Sequence, residues 1–84
     1  MTEASDAVQR AIILADLANG HVVQARPEPE ASVAVLHECA DLVGRTRGRV
    51  AMGRMRKVRQ SLRRWDGEQF VADFDDHLYA VLFD

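Results

Sequence analysis

Eighty-four residues with 48% hydrophobic and 29% charged side chains make one globular domain and exclude an intrinsically disordered chain. A domain of this size buries only about 60–65% of the surface its unfolded chain exposes, so its stability margin is thin and a second copy or a partner would widen it. The net charge of −2 averages three blocks, −5 over residues 1–43, +9 over 44–65 and −6 over 66–84, and blocks of opposite sign attract within a chain or between two copies.

The chain opens with a helix. Thr2 and Ser5 are candidate N-caps, and Asp6 suits the positive end of the macrodipole. The spacing predicts a helix to about Ala18, with Asn19-Gly20 as a left-handed stop. Its apolar arc is broad, running through Leu17, Leu14, Ala7, Ala18, Ala11, Ala15, Val8 and Ile12, and Ile13 interrupts the polar side of Asp6, Gln9, Arg10 and Asp16. Such a helix is either central in its bundle or shared with a second subunit. Acidic Glu3 and Asp6 stand where a secretory leader is basic. The longest strongly apolar run, residues 11–15, is far short of the ~20 residues that span a bilayer. The lone cysteine, Cys39, excludes an intramolecular disulfide and fits a reducing compartment, so a cytoplasmic protein with no membrane partner is expected.

Residues 21–30 read as a connector in which Val22 and Val23 form a short extended piece, with Pro27 and Pro29 preventing a continuous helix. A second helix is predicted from about Pro29, proline in its first turn, to Val43. Val33, Leu36, Cys39, Ala40 and Val43 share its inner face, and His37, Glu38 and Asp41 mark its solvent side. Residues 44–48 form a basic link, or a weak point in one longer helix, since glycine costs only about 1 kcal/mol in a helix interior.

Residues 44–65 hold nine of the eleven basic residues and no acid. Ala51, Met55, Val58, Leu62 and Trp65 step by 4, 3, 4 and 3, the spacing of one apolar face. Arg49, Arg56, Arg59 and Arg63 fall opposite, with Lys57 and Arg64 on a flank, giving a basic amphipathic helix. Asp66 with Gln69 three residues later reads as a capping box after a sharp turn at Trp65. A last helix shows Phe70, Val71, Phe74, Leu78, Val81 and Leu82 on one face and Ala72, Tyr79 and Phe83 on the other. Two stripes exceed what a single small core uses, so the second is a candidate contact surface.

The predicted fold is all-α, a small bundle of three to four helices completed by homodimerisation. Trp65-Asp66-Gly67 resembles the turn of small secreted W-x-G helical hairpins. In those a tyrosine is followed four positions later by an acid, whereas Phe83 stands four after Tyr79, and no role is carried over. His37-Glu38-x-x-Asp41 is similar to a zinc-protease helix motif with aspartate in place of the second histidine. Such a site needs a third ligand and a cleft, so no metal, cofactor or small-molecule substrate is assigned. His37 and Asp41 read as an exposed i, i+4 pair, His77 as a satisfied boundary histidine, and Cys39 as a small buried hydrophobe. The expected activity is that of a non-enzymatic regulatory or adaptor protein binding itself or another protein. Ile13, Leu17, Tyr79, Phe83, Arg56 and Arg59 are its candidate interface. The alternative is a small nucleic-acid-binding, transcription-associated regulator using Arg49, Arg56, Lys57, Arg59, Arg63 and Arg64. Against it, the pI of about 5.9 is below the ~9 typical of a nucleic-acid domain, and no aromatic residue alternates with the arginines.

Overall fold

Small residues set the first helix pairing. Ala11, Ala15 and Ala18 have no exposed surface, and without long side chains between them two helix axes can approach closely. The computed structural model describes residues 3–83. It places α1 (Glu3–Val23) against α2 (Pro29–Thr46) with two hydrogen bonds from buried side chains to backbone. Ser32 Oγ donates to the Ala18 carbonyl at 2.8 Å and Cys39 Sγ to the Ala11 carbonyl at 3.3 Å. Later residues of α2 meet earlier residues of α1, so the pair is an antiparallel hairpin. Arg10–Glu38 at 3.1 Å and His21–Glu28 at 3.4 Å continue the register on its surface.

The hairpin overrides the expected stop at Asn19-Gly20. α1 runs on to Val23, Val22 is buried rather than part of an extended connector, and the Glu28 N–H closes the turn on the His21 carbonyl at 2.8 Å. A glycine penalty of about 1 kcal/mol is smaller than the burial gained by the last turn. Thr2 lies outside the described residues, and Ser5 falls within α1.

α2 likewise passes its expected end at Gly44. It stops at Thr46, whose hydroxyl donates to the Leu42 carbonyl at 2.8 Å. The left-handed residue after it is Arg47, φ 56°, whose N–H reaches the Val43 carbonyl at 2.7 Å. Gly44 is interior because α4 lies on it: a Cβ there would stand 3.0 Å from the Val81 Cβ.

α3 (Arg49–Ser61) buries Ala51, Met55 and Val58, and Leu62 follows them into the core. The expected rod to Trp65 is interrupted at Leu62 (φ −92°, ψ 7°), and Arg63–Trp65 form a 3-10 turn that leaves Trp65 half-buried. Asp66 does not cap the next helix. Its carboxylate takes Arg59 at 2.9 Å, while the Glu68 carbonyl accepts the Val71 and Ala72 N–H groups. α4 (Gln69–Phe83) then packs Val71 and Phe74 onto α2, with Leu78, Val81 and Leu82 closing the edge. The result is all-helical among the described residues and flat, 38 × 29 × 16 Å between Cα extremes. α1 packs on α2 and α3, and α2 also carries α4.

Candidate functional site

The two aromatic residues of α4 assigned to a second stripe do face solvent. Tyr79 is 67% and Phe83 70% exposed, one helical turn apart with ring centroids 4.7 Å from each other. Ile13 and Leu17 on α1 are also exposed, at 62% and 51%. No helix among the described residues is long and apolar enough to cross a membrane.

The basic residues divide into two groups. Arg54 donates to both carboxylate oxygens of Asp16 on α1, at 2.9 and 3.1 Å. Arg59 is not on the solvent side of α3. Its side chain is 22% exposed and grips Asp75 of α4 with two bonds, 2.7 and 2.8 Å, while a third nitrogen reaches Asp66. Both carboxylates hold the guanidinium pKa above its ordinary value against the opposing effect of burial, the Asp75 hydrogen bond being the largest influence. Arg59 is thus a cross-link between α3, the turn and α4, where helical-wheel reasoning had put it outward. Arg49, Arg56, Lys57, Arg63 and Arg64 are exposed, with no ion pair to a carboxylate among the described residues. The Arg64 guanidinium lies 4.8 Å from the Trp65 ring centroid, a cation–π contact worth under about 1 kcal/mol in water.

A third grouping joins residues that the sequence kept apart. His37 and Asp41 do not form a solvent pair, because His77 of α4 docks on both. Its Nε2 is 2.7 Å from Asp41 Oδ1 and its Nδ1 2.6 Å from His37 Nδ1. The His37 ring stacks on His77 at 4.9 Å and meets Phe74 edge-on at 5.5 Å. A single hydrogen fits between the two Nδ1 atoms, so one ring donates and the other accepts. Burial, then the neighbouring His77, lowers the His37 pKa from its ordinary 6.5, and Asp41 and Asp73 oppose this. The His37–Asp41 spacing at i, i+4 is visible in sequence, but the juxtaposition with His77 depends on how α4 lies on α2. The arrangement is a polar clasp between helices. The nearby Cys39 sulfur is turned toward α1, and burial pushes its thiol pKa up to about 11, which keeps it a protonated, weak nucleophile.

No protein-family model matches the chain, and neither a curated protein nor a solved structure shows significant similarity to it.

Proposed function

We propose that the chain is a non-enzymatic regulatory or adaptor protein that acts in the cytoplasm by helix-mediated protein binding, as a homodimer. The observation that carries this reading is the outward Tyr79–Phe83 pair on a well-packed helix. Fully burying two such side chains is worth about 3–6 kcal/mol, which is large beside the total stability of a small domain. Leaving them in water is a cost that a partner surface would remove. Aromatic and arginine side chains are the usual energetic anchors of such contacts. Ile13 and Leu17 supply a second, smaller apolar surface on α1. A buried, free Cys39 suits a reducing compartment. The action would be occupancy, covering a partner's interface or bridging two proteins.

The test is light scattering of the wild type and of a Tyr79→Ala, Phe83→Ala double variant. The wild type should scatter at twice 9.4 kDa and the variant at the single mass, with unchanged helical circular dichroism. A wild type at the single mass throughout the micromolar range, or a variant that stays paired, contradicts the proposal. The second reading, a nucleic-acid-binding regulator, is supported by the exposed Arg49, Arg56, Lys57, Arg63 and Arg64. It requires affinity for DNA or RNA that falls steeply with salt, and the absence of a gel shift at low salt and micromolar protein discards it.

A further inference from the structure

Two exposed stripes have the same spacing and opposite character. On α3, Arg49, Gly53, Arg56 and Gln60 follow each other by 4, 3 and 4; on α4, Ala72, Asp76, Tyr79 and Phe83 do the same. At ~100° per residue each set occupies about 60° of its helix, and all eight residues are exposed. The Arg59–Asp75 pair ties the two helices together, and each stripe lies opposite the buried face of its own helix, Ala51, Met55 and Val58 on α3 and Val71 and Phe74 on α4.

Gly53 is the second observation. It stands in the interior of an exposed helix, where glycine costs about 1 kcal/mol relative to alanine, yet a Cβ there would meet nothing within 4 Å. The fold of one chain gives no reason for the gap. A ring seated on it from outside would.

We propose that the homodimer is built by reciprocal pairing of these stripes: α3 of one copy receives α4 of the other, and the same contact recurs across a two-fold axis. Arg49 and Arg56 flank the bare Gly53 position: one of them meets Asp76 of the second copy, Tyr79 lies over the gap, and Phe83 lies beneath the other guanidinium group, as the matched spacing of the two stripes requires. A two-fold axis lying in the plane of the contact, running between α3 and α4 along their length, sets α3 of each copy over α4 of the other, and the charges are complementary because α3 carries no acid and α4 no Lys or Arg. The exposed parts of Tyr79 and Phe83 supply roughly 200–350 Å² per copy. The polar stripe residues bring the sum over both copies toward the ~1,000 Å² of a stable interface. The inference rests on the homodimer reading above and adds to it the faces, their pairing and the charges that set partner choice.

A charge exchange tests it. Arg49→Glu with Arg56→Glu in one chain, and Asp76→Lys in another, place like charges in both contacts of each homodimer. A one-to-one mixture places opposite charges in both. Each variant alone should scatter at the single mass where the wild type is paired, and the mixture should regain the double mass. High salt, about 1 M with a Debye length near 3 Å, should weaken the wild-type pair and bring the two single variants closer to it. All altered side chains are exposed, and unchanged melting curves confirm that each variant folds. If both variants stay paired while Ile13→Asp with Leu17→Asp separates the wild type, the homodimer stands on α1 and the α3–α4 pairing is wrong. If the variants separate but the mixture does not pair, the pairing is also wrong. If the arginine variant keeps its mass but loses salt-dependent DNA binding, the α3 stripe serves nucleic acid and the proposal falls. A wild type at the single mass overturns both this arrangement and the homodimer.

Discussion

Lowering the pH from about 7.5 to about 5.5 should weaken the hold of α4 on α2, because the contact between His37 and His77 has room for one hydrogen. Once His37 is protonated, its Nδ1 can no longer accept a hydrogen across a separation that is 2.6 Å in the closed state, and the contact opens. The facing groups are Asp41 from α2 and Asp73 and His77 from α4. The folded protein lowers the His37 pKa below its ordinary 6.5. Its contribution is therefore complete above about pH 6.5 and is lost as the pH falls through the folded value. Losing one neutral hydrogen bond at a half-buried site costs about 1 kcal/mol, equivalent to roughly 4–8 °C in Tm for a domain of this size. The slope cannot exceed one proton, about 1.4 kcal/mol per pH unit. The window lies above the ordinary carboxylate range near ~4, so histidines dominate it. Urea midpoints followed by circular dichroism, at steps across the window, should fall with pH in the wild type. They should be nearly level in His37→Gln, with His21→Gln as a control for the separate His21–Glu28 contact. Equal slopes in wild type and His37→Gln, or a wild type that gains stability as the pH falls, would refute the reasoning.

Arg59→Met keeps the apolar stem and removes three charged hydrogen bonds. Because Asp75 and Asp66 stay 46% and 57% exposed and rehydrate, the expected loss is about 1–2 kcal/mol in chemical denaturation, below the ~3–5 of a buried pair. An unchanged midpoint contradicts the cross-link role. At concentrations where the chain is monomeric, Gly53→Ala should raise stability by about 0.5–1 kcal/mol. Gly44→Ala should lower it, since a Cβ 3.0 Å from the Val81 Cβ forces α4 to shift at an overpacking cost of about 1–3 kcal/mol; thermal melts of the pair compare them directly. Cys39, fully buried with its thiol pKa raised to about 11, should react with a thiol reagent at neutral pH only in proportion to the unfolded fraction. Rapid labelling in native buffer would show that the α1–α2 seam opens without global unfolding.

Much of the inner surface was legible from spacing alone. Val33, Leu36, Cys39, Ala40 and Val43 on α2, and Ala51, Met55, Val58 and Leu62 on or just after α3, are all buried. Alternating steps of three and four leave little freedom in which side of a helix turns inward. Helix ends were less legible. Gly20 and Gly44 have the local chemistry of a stop, but α1 and α2 continue because Val22 has a buried place and Gly44 lies under Val81, which is tertiary information. The stop that does occur uses Arg47 in a left-handed conformation, a residue type that carries no such signal. The roles of Arg59 and His77 are not legible in the sequence for one reason: their partners, Asp75, Asp66, His37 and Asp41, come from elements whose placement single-helix periodicity does not fix.

Arg47 also connects distant parts of the molecule. Its backbone is left-handed, a conformation that costs an L-residue about 1–2 kcal/mol, and its guanidinium donates to the Leu82 carbonyl in the last turn of α4 at 3.3 Å. Glycine would relax the backbone and forfeit that reach. The elbow between α2 and α3 is therefore latched to the turn that carries Phe83. A binding partner that drew this turn outward would unlatch the elbow, so engagement at one end of the slab would be felt where the basic helix begins.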